Sequence, residues 1–437
     1  MSSFNEAQDY LDALGIDVMK KMRPNTERIE ALCEVLDHPE RSAPAVHITG
    51  TNGKTSTAAI ATSVLAATGL SVGTYTSPHL QSIRERISLN GQPISEEDFG
   101  GVFDHIRPFI DLVEKRLDDR LTYFEVMTAM FFLWAAETPV DAMVVEVGLG
   151  GRWDATNVVD APVAVITNIG LDHTNLLGLD RETIALEKAG IIKTEAQVVT
   201  AERTPSILQT IVDEATKQRA TVVGFEKDFS VPDNRIAVGG RYLSINTSTQ
   251  PYEGLFLPLH GSHQGVNAAV ALESASRFLS KPLDHDVVAQ GFAEAKVPGR
   301  LETIRLHGDE AVPLIVDVAH NPDGMSALVT SLLEAFAFER AVFVVGILAD
   351  KDYRGMLTEL TRLPCSIIAT KPSNVRSVDV DELSAVAAEL GLECVAEPQV
   401  APALDMALDE APGAGLVCVT GSHYVVGEAR EILVGAN

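Results

Sequence analysis

Short apolar runs alternate with longer segments of helical periodicity through the first half of the chain. The runs are rich in valine, isoleucine and alanine, which is typical of parallel strands covered on both faces. We predict such strands at residues 45–49, 71–75, 142–147, 163–168, 197–200 and 221–225. Helices are predicted between them, including one from Lys54 to a stop at Gly69, one over 181–191 and one over 263–279. The pattern therefore indicates an α/β fold with a mainly parallel sheet.

A second alternation of the same kind follows the turn-rich segment VPGRLE at residues 297–302. Its apolar runs are PLIVDVA, AVFVVGI, CSIIAT, ECVAE and LVCVTGS, and a helical segment follows each one. This order is typical of a smaller Rossmann-like α/β domain. We therefore predict two domains, residues 1–297 and residues 298–437, and a length of 437 residues suits two hydrophobic cores.

The net charge limits which binding partners are plausible, and the cysteine pattern indicates the cellular compartment. The chain has 34 Lys+Arg against 61 Asp+Glu, a net charge of -27, which argues against nucleic acid or an anionic membrane as a partner. The N-terminus lacks a signal-peptide pattern, and no apolar run is long enough to cross a bilayer. The four cysteines are scattered without a C-x-x-C pair, so we expect reduced thiols in a cytoplasmic protein.

A glycine-rich loop, GTNGKT at residues 50–55, lies between a predicted strand and a predicted helix. Glycines allow close backbone approach, the helix N-terminus offers N–H groups, and Lys54 supplies a positive charge, so the loop is suited to phosphate. The Thr55 hydroxyl could contact Mg²⁺. The spacing of Gly50 and Gly53 is shorter than in the common phosphate loop, and an ordinary glycine-rich turn is the alternative.

Glu146 lies at the end of one predicted parallel strand, and His173 follows another. The ends of both strands open onto the same edge of the sheet as the glycine-rich loop, so a carboxylate and an imidazole could bind Mg²⁺ or its water there. For each residue alone the alternative is structural, Glu146 as a hydrogen-bond acceptor for a loop and His173 as a partner of Asp172.

Ordered segments spanning nearly the whole chain resemble the folylpolyglutamate and dihydrofolate synthases of the Mur ligase superfamily. One group lies before residue 200: ERIEALCEVLDHPE, the loop GTNGKT, TSPHL, TYFEVMTAMFF, EVGLGGRWDATN, NIGLDHTNLLG and EKAGIIK. The other lies after it: PGRLE, DVAHNPDG, ADKD and TGSHYVVGEAR. Much of the family has Gly-Ser after the lysine of the loop, where this chain has Thr55-Ser56, which leaves open which of the two hydroxyls meets the metal.

The resemblance implies a P-loop ATPase-like first domain that binds ATP and folate, and a second domain that contributes to ATP and glutamate binding. It implies catalytic roles for Lys54, Glu146, His173 and Lys188. The implied ATP contacts are Asn52, Gly53, Lys54, Thr55, Ser56, Asn267, Arg300 and Asp317, and the implied metal ligands are Thr55, Ser77, Glu146, His173 and Lys188. The implied pterin contacts are Thr122, Tyr123, Phe124, Glu125, Trp153, Asp154 and Ala155, and His320, Ser422 and His423 are implied on the glutamate side.

Several of these residues also have structural interpretations. Arg300 could be a surface arginine in a linker, His320 a partner of a helix N-terminus, and Lys188 a solvated lysine favoured by the helix dipole. Most of the segment 122–134 is expected to be a buried helix, with only its N-terminal end facing ligand. For Lys188 the resemblance implies instead a carbamate, an oxygen ligand of the kind that Mg²⁺ prefers.

The resemblance implies an ATP-dependent amide ligase that adds L-glutamate to the γ-carboxylate of a reduced folate through an acyl phosphate. We expect two Mg²⁺ ions, ATP as co-substrate and a monomer; synthesis of dihydrofolate from dihydropteroate and glutamate is left open. One alternative is a Mur-type ligase of a UDP-sugar peptide, which the pterin-type segment, the SPHL sequence and the absence of an extra N-terminal domain disfavour. The other is a non-catalytic nucleotide-dependent switch, which Glu146, His173 and Arg300 together disfavour.

Overall fold

An eight-stranded sheet forms the first part of the molecule. The computed structural model describes residues 3–15, 25–304, 312–411 and 415–435. The sheet has the order β4-β3-β2-β5-β1-β6-β7-β8, parallel from β2 to β8, with β3 and β4 antiparallel at one edge. Its strands are β1 (Ala45–Thr49), β2 (Val72–Tyr75), β3 (Ile87–Leu89), β4 (Gln92–Pro93), β5 (Ala142–Glu146), β6 (Val163–Ile166), β7 (Gln197–Thr200) and β8 (Thr221–Gly224). The six predicted parallel strands are therefore confirmed.

Helices cover both faces of this sheet and bury separate apolar cores against them. One face carries the helices Phe4–Leu14, Glu27–Val35, Glu96–Leu117 and Tyr123–Glu137 and, further along the sheet, Arg181–Ala189 and Pro205–Lys217. The other face carries Lys54–Ala67, His263–Leu279 and His285–Glu294. Short helical turns lie at Pro39–Arg41, Ile83–Arg86, Ala155–Val158 and Thr174–Leu177.

A three-stranded antiparallel sheet follows β8 and is absent from the strands that we predict. Its strands are β9 (Ser230–Ala237), β10 (Gly240–Asn246) and β11 (Pro251–Leu257), in the order β11-β10-β9. From Arg241 onward only alternate positions of β10 are buried, so the sequence has no continuous apolar run to mark it. Leu243, Ile245 and Leu255 pack into the core beneath the helix His263–Leu279.

A six-stranded sheet forms the second part of the molecule. Its order is β12-β13-β17-β14-β15-β16, with β12 antiparallel and the other strands parallel. The fold class is therefore as predicted, while the domain boundary near residue 297 stays a prediction. The strands are β12 (Glu302–Ile304), β13 (Leu314–Asp317), β14 (Arg340–Val345), β15 (Cys365–Ala369), β16 (Glu393–Ala396) and β17 (Gly415–Thr420), and the helices are Pro322–Ala335, Tyr353–Leu360, Val380–Glu389, Val400–Glu410 and His423–Val434.

Among the described helices, none combines the length and the apolar character that crossing a membrane requires.

One backbone contact brings the two parts of the molecule together. Leu80, from the loop after β2, packs against the apolar cluster of the six-stranded sheet. A Cβ on Gly427 of the helix His423–Val434 would lie 2.1 Å from the Leu80 carbonyl oxygen. Beside this contact, Arg430 donates to both carboxylate oxygens of Glu302 and to Gln81. The loop after β2 is thus held by the last helix.

We predict that Gly427→Ala destabilises the protein by roughly 1–3 kcal/mol, because the added methyl group forces the helix away from a backbone oxygen that cannot rotate aside. Gly101→Ala is the matched control, since a Cβ there meets nothing within 4 Å and Gly101 also lies inside a helix. The control should be neutral or more stable by about 0.5–1 kcal/mol. Equal midpoints of urea unfolding for the two variants would contradict the prediction.

Candidate active site

The loop between β1 and the helix Lys54–Ala67 approaches other side chains more closely than a residue with a Cβ allows. A Cβ on Gly50 would lie 1.8 Å from Thr167 Oγ1. Gly53 has a φ of 84°, and a Cβ on it would lie 2.5 Å from Asn267 Oδ1. Both glycines are therefore required by the geometry, and the loop aims a helix N-terminus at a small cavity.

Two lysines converge on the carbonyl oxygen of Gly50. Lys54 Nζ donates to it at 3.0 Å and to the Thr51 carbonyl at 3.2 Å. Lys188 Nζ donates to the same Gly50 oxygen at 2.9 Å. Lys188 is buried, so it is not a solvated helix lysine. Burial and the neighbouring Lys54 ammonium lower the pKa of Lys188 to about 7.

Glu146 ends β5, which lies between β1 and β2 in the sheet. One of its carboxylate oxygens accepts from Thr55 Oγ1 at 2.9 Å, and the other accepts from the Ser77 N–H at 3.2 Å. Burial raises the pKa of Glu146. The Ser56 hydroxyl instead accepts from Gln264 Nε2 at 3.3 Å. The Thr55 hydroxyl, not the Ser56 hydroxyl, therefore faces the carboxylate.

The Asp172 carboxylate, next to His173 in the first part of the molecule, contacts Lys351 and His320 of the second part. Lys351 Nζ lies 2.7 Å from one Asp172 oxygen and 3.3 Å from His173 Nε2. His320 Nε2 lies 3.7 Å from the other Asp172 oxygen. Burial alone would raise the pKa of Asp172, but the His173 ring and the Lys351 ammonium outweigh it and hold that pKa below its usual range. Burial lowers the pKa of His173 to about 4 and that of His320 to about 3, so both rings are neutral at physiological pH.

Asp172 and Lys351 are the residues that the sequence analysis misses as parts of the site. Both lie in segments that carry the family resemblance, NIGLDHTNLLG and ADKD, but no local pattern connects positions 179 residues apart. Their ion pair is buried, with side-chain exposures of 11% for Asp172 and 8% for Lys351. An ion pair this well shielded offsets the cost of desolvating both charges only when its geometry is good, and that geometry comes from the folded chain.

Of the other predicted nucleotide contacts, Asn52 and Arg300 line the same cavity, while Ser56, Asn267 and Asp317 are not among its lining residues. Arg300 lines it and faces the Asp317 and Glu146 carboxylates. The Asp317 carboxylate accepts from the Leu301 N–H at 2.8 Å, so it also fixes the backbone next to Arg300. Asn52 Oδ1 accepts from Asn321 Nδ2 at 3.1 Å. Arg300 is therefore a cavity residue and not a surface arginine of a linker.

A second, larger cavity of about 330 Å³ adjoins the first. All of the predicted pterin contacts line it, including Tyr123, Phe124 and Trp153, whose side chain is 42% exposed. We call the shared wall of the two cavities the junction. The junction consists of Ser77, Pro78, Gly148, Leu149, His173, His320 and His423.

The carboxylates predicted at the pterin site are already bound by protein groups. Glu125 accepts from the Thr122 N–H at 2.8 Å and from Arg28 Nε at 3.0 Å. Thr122 is the N-cap of the helix Tyr123–Glu137, whose capping box includes Glu125. Asp154 accepts from the Leu149 N–H at 2.9 Å. These carboxylates therefore shape the cavity wall.

The residues predicted on the glutamate side lie beyond the ends of two neighbouring strands, His320 after β13 and Ser422 and His423 after β17. His320 and His423 line both cavities, with ring centroids 5.3 Å apart. The Ser422 hydroxyl donates to the Gly346 carbonyl at 2.7 Å and accepts from the Val425 N–H, so it caps a helix. The two histidines, more than Ser422, are open to a ligand.

Comparison with known proteins agrees with this geometry. The Mur ligase middle domain matches residues 48–275, and the Mur ligase glutamate ligase domain matches residues 299–423. The dihydrofolate synthase/folylpolyglutamate synthase of Mycobacterium tuberculosis is 39% identical over 445 residues, covering 94% of this chain and 90% of the relative. The chain belongs to the folylpolyglutamate and dihydrofolate synthases of the Mur ligase family.

Solved structures of this synthase family have the same fold. The Mycobacterium tuberculosis folylpolyglutamate synthase complexed with ADP is 38% identical, with a TM-score of 0.94 and coverage of 98% of each chain. An Escherichia coli protein in complex with DHPP and ADP is 31% identical, with a TM-score of 0.87 and coverage of 99% of this chain and 98% of that one. The family confirms the predicted enzyme class, an ATP-dependent amide ligase, over a UDP-sugar peptide ligase or a non-catalytic switch.

We predict that Lys54→Ala lowers kcat/KM for ATP at least about 100-fold, because we expect the Lys54 ammonium, which lines the cavity at the glycine-rich loop, to stabilise the transferring phosphoryl group. Lys217→Ala is the matched control, since Lys217 is an exposed lysine paired with Glu214 on the same domain. ATP kinetics and thermal unfolding of both variants check the prediction. Retention of wild-type ATP kinetics by the folded Lys54 variant would remove the loop from the nucleotide site.

Proposed function

We propose that the chain uses ATP to add L-glutamate to the γ-carboxylate of a reduced folate, and that it also joins dihydropteroate to glutamate. The observation that carries the proposal is the junction, where a phosphate-loop cavity and a large, partly aromatic cavity share one wall. Relatives whose names carry both activities, and the Escherichia coli complex with DHPP and ADP, support both substrates.

The reaction proceeds in two displacements. The γ-carboxylate oxygen of the folate attacks the γ-phosphorus of ATP, the bond to the bridging oxygen breaks, and ADP leaves with an acyl phosphate formed. The amino group of glutamate then attacks the carbonyl carbon, loses a proton, and expels inorganic phosphate. Lys54 and Arg300 place positive charge on the phosphate side of the cavity, where two anions must approach each other.

Further residues are assigned by position. We propose ATP contacts for Arg300, Asp317 and Asn267 together with residues 52–56, because these residues surround the phosphate loop. We propose the pterin at the end of the large cavity lined by residues 122–125 and 153–155, and the incoming glutamate beside His320, Ser422 and His423. The proposed domain boundary near residue 297 lies between the pterin-lining residues, in the first domain, and the residues proposed beside the glutamate, in the second.

The donors present fit Mg²⁺. Thr55 Oγ1 and the Glu146 carboxylate converge within 2.9 Å, and oxygen donors of this kind suit the ion. The described ranges hold no group of three or more His, Cys, Asp or Glu side chains placed for a metal, so phosphate oxygens and water would complete the shell. When bound, Mg²⁺ screens the repulsion between the two anions. We propose two ions, held by Thr55, Ser77, Glu146, His173 and a carbamate on Lys188.

The assembly and the compartment follow from the same features. The described residues of one chain supply the walls of both cavities, which supports a monomer. The four cysteines are free, which supports a reducing compartment, so we propose a monomeric cytoplasmic enzyme.

The test of the proposed function is phosphate release. With ATP and Mg²⁺, release should require both a folate acceptor and L-glutamate, and mass spectrometry should show the acceptor heavier by one glutamyl unit. Tetrahydrofolate and dihydropteroate are assayed separately as acceptors. Release without glutamate incorporation would exclude the ligase assignment, and incorporation with one acceptor only would exclude the dual activity.

We predict that Lys188 carries a carbamate. An amine must be neutral to add CO₂, and with its pKa lowered to about 7 by burial, Lys188 is substantially neutral near physiological pH. ¹³C-bicarbonate should therefore produce a carbamate resonance in the NMR spectrum of the protein, and Lys188→Met should abolish it and raise the Mg²⁺ concentration needed for activity. Lys193→Met is the control, because Lys193 also has a lowered pKa but donates to the Asn157 carbonyl away from the cavity. A resonance that survives in the Lys188 variant would refute the assignment.

A further inference from the structure

Two basic residues of the second domain, Lys351 and Arg376, line the large cavity. They differ in how closely each is paired with a carboxylate. The Lys351 side chain is only 8% exposed, and its Nζ lies 2.7 Å from an Asp172 carboxylate oxygen. Arg376 has a side chain that is 38% exposed, and its ion pair with Asp350 is at 4.0 Å, the outer limit of such a contact. Arg376 therefore retains much of its capacity to bind an anion that enters the cavity.

Arg376 is held in place against an aromatic ring. Its Nη2 donates to the Tyr424 hydroxyl at 3.2 Å, and its guanidinium carbon lies 5.9 Å from the centroid of the Tyr424 ring. Both residues line the large cavity. A planar guanidinium kept in this position has less rotamer freedom to lose when it binds a carboxylate.

The loop that carries Arg376 is fixed through its backbone. The Arg376 carbonyl accepts from the Ala349 N–H at 2.8 Å, and its N–H donates to Asn374 Oδ1 at 2.9 Å. The Val378 N–H donates to the Ile347 carbonyl at 2.9 Å. Because these contacts use backbone and neighbouring side-chain atoms, replacement of the Arg376 side chain should leave the loop in place.

The position of Arg376 relative to the junction indicates which carboxylate it would meet. The acyl phosphate forms where the two cavities share a wall, so the attacking amine of glutamate must come to the junction. The α-carboxylate shares a carbon atom with that amine and stays beside it. The γ-carboxylate reaches further, and Arg376 and Tyr424 line the large cavity without lining the phosphate cavity.

We propose that Arg376, oriented by Tyr424, binds the γ-carboxylate of the incoming glutamate and selects glutamate over amino acids that lack it. The inference rests on the proposed function and deepens it, because it assigns the side-chain recognition of the second substrate. Arg376 supplies the paired N–H donors for the carboxylate, and Tyr424 is a positioning residue.

The experiment compares steady-state kinetics of Arg376→Gln, Arg376→Lys and Tyr424→Phe. In Arg376→Gln the KM for L-glutamate should rise by on the order of 10- to 100-fold, the loss expected for a charge-assisted hydrogen-bonded pair, with KM for ATP and for the folate acceptor nearly unchanged. Arg376→Lys and Tyr424→Phe should give smaller rises. The preference for L-glutamate over L-glutamine, measured as the ratio of kcat/KM, should fall in Arg376→Gln.

Arg354→Gln is the matched control, because Arg354 is an exposed arginine of the same domain that pairs with Glu389 on the surface. It should leave every constant unchanged. A higher KM for the folate acceptor in place of glutamate would overturn the proposal and assign Arg376 to the acceptor tail, and unchanged constants would overturn it outright. If Arg376→Gln fails to fold, the Lys and Tyr424→Phe variants decide by the same constants. A wild-type enzyme without glutamate-dependent phosphate release would instead overturn the proposed function, which separates the two failures.

Discussion

Two lysine amines share one peptide oxygen in this structure. Lys54 and Lys188 both donate to the Gly50 carbonyl, where two charged ammonium groups would repel each other with little water to screen them. The contact is tolerable because burial lowers the pKa of both lysines, that of Lys188 to about 7, so the two amines need not be charged together. The Glu146 and Asp172 carboxylates partly counter the effect of burial on Lys54. In a chain of net charge -27, this arrangement concentrates positive charge at one edge of one sheet.

The second domain contributes one more positive charge beside the phosphate-loop cavity. Its Lys351 pairs with Asp172, which would otherwise be a buried carboxylate beside a neutral imidazole. Breaking such a pair leaves an uncompensated charge and is costly, on the order of 3–5 kcal/mol. The pair therefore favours one relative position of the two domains, the position in which Arg300 and His320 reach the phosphate loop. The apolar contact of Leu80 supports the same arrangement without any charge.

Local patterns were enough to predict the parts of the fold that are continuous in sequence. The strands β1 and β5 were predictable because each is a run of apolar residues buried on both faces, and the phosphate loop because its glycines lie between a strand and a helix. The sheet β9–β11 is not predicted, since β9 has no fully buried position and the buried positions of β10 and β11 are interrupted by exposed ones, so none of the three is a continuous apolar run. The Asp172–Lys351 ion pair and the hydrogen bond from Arg28 to Glu125 could not be predicted from the sequence. Each joins side chains far apart in the chain that only the folded structure brings together.

The two tryptophans of the chain occupy very different surroundings. Trp134 is 6% exposed inside the core of the first domain, whereas Trp153 is 42% exposed on the wall of the large cavity. An indole in an apolar core is shielded from solvent, while one on the wall of a cavity changes its surroundings when that cavity fills. Trp153 therefore acts as an intrinsic fluorescent probe, whose emission should change when the substrate cavity is occupied. The emission of the core residue Trp134 should stay constant and serve as a reference.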